Sequence, residues 1–356
     1  MKVAELASKS DYRESARILK EWTAVDLSHT TVGSILRRVG KTQAEADEAM
    51  VLDLEESAEL PKGKKELDFL YTEAYGVYVR GLKKRKHIEV SHAIMYEGWN
   101  TNGKRVSLRK LKVIMTTKSM DDFWKQVQTI VAHEYSLENT QVVSNSDGGP
   151  GYSSERFQEA FSQSSCPLLH QLDEYHIQQA INRTFGYKKN KWKDKIRAAL
   201  KEANLDDFTL VLDTYESQLE DEKAIEKVDK FRTYILNHRD YISDRRKRID
   251  DAPKGAMESN QRHITYRMKK RGMHWSREGA EAMVKVKQGN ANNTLREVYL
   301  SSQYRSHRKQ REIKKAVRMS VFLRQPIQPS IGAKKGSINL YAAHSSALGR
   351  LVKGFR

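Results

Sequence analysis

The sequence predicts a mixed α/β protein, in which a mixed sheet is followed by a long helical insertion, and three observations support this prediction. Segments with partial two-residue alternation and β-branched residues occupy much of residues 65–176. Residues 177 to about 250 instead show a helical pattern with many charges and no proline. The first 40 residues have the pattern of two helices separated by a short polar turn.

Composition sets limits on the function. The 356 residues are 38% hydrophobic, which is enough for a substantial core, and the formal charge of +18 indicates a polyanionic partner. Nucleic acid is the first expectation, although a ribosomal or membrane-surface protein would share this charge. The single cysteine, Cys166, excludes an internal disulfide framework and a Cys-rich zinc site. Without an apolar run long enough to span a bilayer, the expected location is the cytoplasm, in association with the nucleoid.

The N-terminal helices form a helix-turn-helix pattern. Ala16, Leu19 and Trp22 share one face of the first helix, where we expect them to meet a core. Ser28 is placed to cap the second helix, whose exposed start would meet DNA bases. The DNA-contacting residues predicted there are His29, Thr30, Thr31 and Ser34. An ordinary helical hairpin at a domain edge is the alternative.

Three antiparallel strands are expected next, in DFLYTEAYGVYV, KHIEVSHAIMYEGW and RVSLRKLKVIMTTK, with Asn102-Gly103 as a hairpin turn. Ser119 and Asp122 form an N-capping signature before a helix. TQVVSNSD then predicts a strand ending at Asp147, SSERFQEAF a helix, and CPLLHQLDEYH a further strand.

This pass along the chain predicts six segments. They are a helix-turn-helix (1–40), a linker or helical arm (41–64), the first part of the core (65–176), the all-α insertion (177–252), a helix carrying Glu258 with the end of the core (253–290), and a basic, partly disordered tail (291–356).

Acidic residues at strand ends suggest metal chemistry. Enzymes that cut phosphodiester bonds with two metal ions gather several carboxylates around ions roughly 3.5–4 Å apart. Asp147 ends a predicted strand before Gly148 and Gly149, although an Asp-Gly turn residue is the alternative. Glu258 begins a helix, where a simple first-turn acid is the alternative. Asp173 and His176 stand three residues apart at a strand-to-helix junction, where Asp173 could be only a helix cap.

The stretches VVSNSDGG, LDEYH and AMESNQRHITYRMKKRGMHWSREGAEAM, arranged around a helical insertion, resemble the ISLre-type insertion-sequence transposases, relatives of the Mutator-like DDE group. The resemblance covers about residues 65–290. It implies an RNase H-like core in which Asp147 and Glu258 are the second and third catalytic acids and bind magnesium or manganese, as two ions. It also implies that Asp173 and His176 form an Asp-x-x-His signature. The implied partners are double-stranded DNA at element ends and target DNA, bound by a homodimer that pairs two ends.

The basic helix that follows Glu258 suits contact with phosphates. Its predicted DNA-binding residues are Arg262, Arg267, Lys269, Lys270 and Arg271. Other basic runs, Lys83–Lys86 and Arg245–Arg248, could equally be solvated.

Tyr75 departs from the pattern of that family, because it stands where the first catalytic aspartate is expected. A neutral phenol cannot replace a bridging carboxylate near pH 7. Glu73 lies on the same strand face, about 6–7 Å back along the strand, and could rescue weak metal binding. The N-terminus also looks shortened relative to that family.

Three functions therefore remain open. The first is a DDE transposase that cleaves and transfers DNA strands, inactive in this copy if Tyr75 blocks the site. The second is a catalytically dead DNA-binding protein or repressor. The third is an RNA-binding protein with an RNase H-like core.

Overall fold

A five-stranded mixed sheet organises the protein in the computed structural model, which describes residues 1–57, 61, 63–83, 86–103, 105–243 and 256–324. The strands are β1 (Lys65–Glu66), β2 (Phe69–Arg80), β3 (His87–Tyr96), β4 (Trp99–Asn102), β5 (Arg105–Leu108), β6 (Lys112–Thr116), β7 (Tyr135–Ser136), β8 (Gln141–Ser146) and β9 (Leu169–Leu172). The helices are α1 (Lys2–Lys9), α2 (Tyr12–Trp22), α3 (His29–Glu56), α4 (Met120–Glu134), α5 (Ser154–Ala160), α6 (Glu174–Phe185), α7 (Lys191–Glu202), α8 (Leu205–Glu216), α9 (Glu222–Asn237), α10 (Arg239–Ser243), α11 (Met257–Ile264), α12 (Arg277–Ala291) and α13 (Leu295–Arg324).

The strand order is β6-β3-β2-β8-β9. The first three strands along the chain, β2, β3 and β6, pair antiparallel, whereas β8 and β9 join on the other side of β2 in parallel. This arrangement confirms the predicted mixed α/β class. The predicted third strand is divided into β5 and β6. Its first part, β5, pairs with β4 in a separate hairpin around Gly103, whose φ is +59°.

Helices cover both faces of the sheet because the strands alternate. Leu70 and Ala74 of β2 pack on one side against Phe123 and Val127 of α4. The capping box predicted from Ser119 and Asp122 begins α4 and is confirmed. On the opposite face of β2, alternate residues such as Val77 and Val79 pack in a core with α3, α11 and α12.

The helix α3 differs from the prediction in length. Ser28 caps its start by accepting a hydrogen bond from Thr31 N, as expected, but the helix continues to Glu56 and includes most of the predicted linker. Gly40 lets it approach α12 closely, since a Cβ there would lie 2.2 Å from the backbone oxygen of Ala282. A buried ion pair between Lys285 Nζ and Asp47 Oδ2, at 2.6 Å, strengthens this contact.

Trp22 contradicts the predicted core face of the first helix, because its side chain is 82% exposed at the end of α2. Ala16 and Leu19 are partly buried against the core, as predicted. The face is therefore shorter by one turn than the sequence pattern indicates.

The insertion is helical, as predicted, and has its own core. Ile177, Phe208, Val228 and Ile235 are fully buried in one cluster that also contains Leu172 of β9. Shared packing with β9 joins this helical layer to the end of the sheet.

The chain divides into a unit from Met1 to Ser301, which holds the sheet and insertion, and a second from Ser302. Residues 295–324, within the segment predicted as a partly disordered tail, form α13. Within the described part of the chain, no helix is both long and apolar enough to span a membrane.

Candidate functional site at the edge of the sheet

Three strand positions meet at the edge where β8 and β9 end. Ala74 of β2 pairs with Ser146 of β8, which pairs with Leu172 of β9. The next residues are Tyr75, Asp147 and Asp173. The backbone N–H of Asp173 donates to the oxygen of Ser146 at 2.8 Å, so the pairing continues past the strand end. Because β2, β8 and β9 run parallel, the three residues occupy adjacent positions across the sheet.

Tyr75 is buried at this edge, with 1% of its surface exposed. Its ring stacks on the imidazole of His176, with centroids 5.6 Å apart and planes 21° apart. Burial raises the pKa of Tyr75 well above its usual range, and the charges of Glu73, Asp173 and Asp147 raise it further. The phenol is therefore neutral near pH 7, and its ring fills the space beside the two aspartates.

Asp147 is half-buried in a tight turn. Its Oδ1 accepts a hydrogen bond from Gly149 N at 2.9 Å, which is the turn role that the sequence left open. Gly148 has a φ of +76°, and a Cβ there would lie 2.4 Å from Nε2 of His238. The hydroxyl of Tyr234 donates to the backbone oxygen of Asp147 at 3.2 Å. The helix α9 of the insertion thus holds this turn in place.

Asp173 caps α6, as its alternative role suggested. Its Oδ1 accepts from Tyr175 N at 3.1 Å, and the residue is 4% exposed. Nε2 of His176 lies 3.8 Å from Oδ2 of Asp173, so these residues do form a local pair. The imidazole reaches Asp173 on one side and covers Tyr75 on the other.

Glu73 has a structural role that the sequence did not suggest. Its buried carboxylate accepts hydrogen bonds from Ala256 N at 2.9 Å, Met257 N at 2.9 Å and Tyr96 Oη at 2.9 Å. Burial raises its pKa, while these hydrogen bonds oppose the shift. Both oxygens are occupied at the start of α11, so the suggested rescue of metal binding by Glu73 is wrong.

Glu258 lies in the first turn of α11 and is exposed. Burial, and then the nearby carboxylate of Glu258, raises the pKa of Tyr175 on α6. Glu258 therefore lies near the start of α6, on the side of the sheet edge where Asp173 is found.

The acids do not fit the pair of magnesium or manganese ions that the sequence led us to expect. Oxygens of Glu73, Asp147 and Asp173 already accept backbone hydrogen bonds, and Tyr75 contributes a buried neutral ring at the strand position next to the two aspartates. Among the residues that the structure describes, no three His, Cys, Asp or Glu side chains are grouped to hold a metal ion. With these side chains the edge resembles a metal centre in layout but not in ligands.

The predicted DNA-binding residues divide into exposed and buried ones. His29, Thr30, Thr31 and Ser34 are exposed at the start of α3, and Arg262, Lys269, Lys270 and Arg271 are exposed in and after α11.

Arg267 is different, since it is 1% exposed and lies over the rings of Tyr12 and Trp275. A phosphate cannot reach it, so this part of the prediction is wrong. The ring of Tyr12, which lies beside Arg267, is also close to α3, since a Cβ at Gly33 would lie 3.2 Å from it. The run Arg245–Arg248 lies outside the described residues, as do Lys84 and Arg85 of the other run.

Two functional-site residues were missed by the sequence interpretation. Tyr234 on α9 and His238 directly after its end stand four residues apart, and both contact the turn after β8. Their i, i+4 spacing was visible, but an aromatic pair on one helix face usually belongs to a core. Only the tertiary contact with Gly148 shows otherwise.

Comparison with known proteins identifies the family. Residues 1–303 match the model of the Uncharacterised protein family (UPF0236). A UPF0236 protein in the vanSb 3' region of Streptococcus gallolyticus is 31% identical over 355 residues, covering 99% of this chain and 75% of that protein. A UPF0236 protein of Caldanaerobacter subterraneus subsp. tengcongensis is 24% identical over 301 residues, covering 84% of this chain and 59% of that protein. The chain thus spans less than two thirds of that relative's length.

These matches overturn the assignment to the ISLre-type transposases, because neither the family description nor the relatives' names refer to that group. The motifs VVSNSDGG and LDEYH were too short to identify a family by themselves. With a family model that matches most of its length, the chain belongs to the UPF0236 family.

Proposed function

We propose that this protein binds double-stranded DNA through its basic surfaces and that Tyr75 keeps its sheet edge from acting as a metal-dependent strand-cleaving centre. One observation supports the proposal most directly: Tyr75, Asp147 and Asp173 occupy adjacent positions on three parallel strands. Two of the three are acids, as phosphodiester cleavage with two metal ions requires. The third is a buried neutral ring that cannot bind a cation as a carboxylate would.

The strand order supports an RNase H-like core as part of this proposal. Three consecutive antiparallel strands are followed by two strands that join in parallel on the far side of the first one. The helical insertion lies between β9 and the helix that carries Glu258, as an RNase H-like arrangement with an insertion would have it.

The charge of +18 supports DNA as the partner. The start of α3, which would be the recognition helix of a helix-turn-helix, is exposed, and so is the basic segment Lys269–Arg271. Bases would be contacted by α3 and phosphates by the segment after α11. Pairing of two DNA ends by a dimer and association with the nucleoid stay predictions, for which sedimentation of the protein–DNA complex is the first measurement.

The experiment measures DNA affinity as a function of salt concentration. For wild type we expect a steep linear fall of log K with log salt, and for the triple variant Lys269→Ala/Lys270→Ala/Arg271→Ala a slope smaller by up to about 3, since each lost phosphate contact removes about 0.9. The matched control replaces three exposed lysines of the insertion, Lys189, Lys201 and Lys223, by alanine. A flat salt response of wild type would refute DNA binding.

Catalysis is tested separately. Wild type should not nick DNA with magnesium or manganese, because the third of the three adjacent strand positions holds the neutral ring of Tyr75 and no carboxylate. Metal-dependent nicking by wild type that Asp147→Asn abolishes would show that the sheet edge is active as it stands and would overturn this half of the proposal.

A further inference from the structure

The insertion contains a cavity of about 620 Å³ between α6 and α9, a volume typical of small-molecule pockets. Six of the side chains that line it bear on its function. Three are cationic, Arg183, Lys227 and Lys230, and three are aromatic, Tyr187, Phe231 and Tyr234. Of the described residues that line the cavity, none is acidic.

The aromatic residues give the cavity a floor and a free edge. Phe231 is 3% exposed and belongs to the core of the insertion, whereas Tyr187 is 81% exposed. Tyr187 follows Gly186, whose φ of +81° allows the chain to turn at the end of α6. An exposed ring beside a buried one provides surfaces on which a flat apolar ligand can stack.

The loop that carries Tyr187 is held in place by a buried lysine. Lys193, 4% exposed, donates from Nζ to the backbone oxygen of Gly186 at 3.0 Å and to that of Lys188 at 3.4 Å. These bonds fix the backbone on both sides of Tyr187. The ring is therefore presented from an ordered loop, which reduces the entropy lost when a ligand binds.

The cations supply a complementary charge. Lys230 is paired with Glu226 at 2.5 Å, and Arg183 donates to Gln179 at 2.9 Å. Lys227 is exposed on α9, the helix that also carries Lys230, and lines the same cavity. A ligand that combines an anion with a planar ring would satisfy both parts of this lining.

The cavity also adjoins the sheet edge. Tyr234, which lines it, donates its hydroxyl to the backbone oxygen of Asp147 at 3.2 Å. DNA lying at that edge would have an unpaired nucleotide within reach of the cavity, because one side chain spans the distance between them.

From these observations we infer that the cavity binds a nucleotide that is unstacked from its duplex, with the base against Tyr187 and the phosphate near Lys227. The inference rests on the proposed DNA binding and extends it, since basic surfaces alone would not distinguish paired from unpaired nucleotides. Base stacking on an aromatic side chain is tolerant of sequence, so no particular base is expected.

The test compares the binding of two labelled duplexes by fluorescence anisotropy, one fully paired and one with a single unpaired thymidine. Wild type should bind the second at least fivefold more tightly, and Tyr187→Ala or Lys227→Ala should remove this preference while leaving affinity for the paired duplex within twofold. Both positions are exposed, so folding should be preserved. The controls are Tyr304→Ala, at an exposed tyrosine of α13, and Lys223→Ala, one turn before Lys227.

Binding of thymidine monophosphate to wild type and to Tyr187→Ala distinguishes failure of the proposed function from failure of the inference. If wild type shows no preference for the unpaired duplex, or if Tyr187→Ala keeps the preference, the inference is overturned while duplex binding still supports the proposed function. If neither duplex binds but thymidine monophosphate binds wild type and not Tyr187→Ala, the proposed function fails and the cavity stands as a nucleotide site.

Discussion

Replacing Tyr75 by aspartate would place a third acid beside Asp147 and Asp173. The change removes a ring that is 1% exposed, and truncating such a buried aromatic residue costs about 3–5 kcal/mol. The new carboxylate also faces two others at adjacent strand positions, and this repulsion adds to the cost. We therefore expect Tyr75→Asp to be much less stable than wild type in the absence of divalent metal.

Divalent metal should restore part of this stability. A ligand that binds only the folded state adds about 2.7 kcal/mol at a concentration 100 times its Kd. Urea denaturation with and without magnesium or manganese measures the gain directly. The same variant should acquire metal-dependent nicking of DNA, which a gel assay with supercoiled plasmid detects.

Two controls distinguish metal binding by the new carboxylate from the effect of removing the buried ring. Tyr75→Ala opens the same space without adding a carboxylate, and Tyr75→Asp/Asp147→Asn keeps the new acid but removes its neighbour. Neither should gain more stability from metal than wild type does. If Tyr75→Ala and Tyr75→Asp respond equally to metal, Tyr75 does not stand at a latent metal site and the reasoning is refuted.

Three further predictions concern stability. Burial lowers the pKa of His92 to about 3, whereas the same histidine in the unfolded chain has a pKa of 6.5. As pH falls below 6.5 the unfolded chain takes up a proton and the fold loses stability, by about 2.7 kcal/mol at two pH units below 6.5. In urea titrations His92→Leu should lack this loss of stability, while a variant at an exposed histidine, His274→Gln, should keep it. Burial, then nearby cations, lowers the pKa of Lys287 to about 8, so stability should rise between pH 8 and 10.5, and Lys287→Met should be more stable than wild type at pH 7 with a flatter profile there. Gly40→Ala should destabilise by about 1–3 kcal/mol or more in thermal unfolding, because the added Cβ would meet the backbone of Ala282; a stabilised variant would contradict the close helix contact.

Local signals were sufficient for much of the fold. Ser119 and Asp122 lie within one turn of α4, so the sequence contains the whole of that capping box. The Ser28 cap of α3 and the turn at Gly103 are likewise formed by residues that lie close together in the sequence. The positions of Asp147 and Asp173 at strand ends also followed from short patterns, since each strand is four to six residues long.

Long-range contacts account for the errors. Arg267 stands in a basic run and looked exposed, but α1 and α2 cover it, and its Nε donates to the backbone oxygen of Ala7, 260 residues earlier. Nothing in the spacing of residues 262–271 shows that contact. Trp22 is the converse case, because a tryptophan in phase with Ala16 and Leu19 lies just beyond the end of the surface that buries them.

Glu73 connects β2 with the start of α11, and its substitution tests whether this contact holds α11 beside the sheet edge. The carboxylate accepts from Ala256 N, Met257 N and Tyr96 Oη, and so fixes the start of the helix that carries Glu258. In Glu73→Gln an NH2 group, which donates hydrogen bonds, replaces one carboxylate oxygen, which accepts them. At least one buried N–H or O–H then lacks an acceptor, at a cost of about 1–3 kcal/mol. Hydrogen exchange of residues 256–264 should accelerate in this variant, while exchange in β3 away from Tyr96 stays unchanged. An unchanged exchange rate at 256–264 would mean that Glu73 does not hold α11, and the position of Glu258 relative to the sheet edge would then need another explanation.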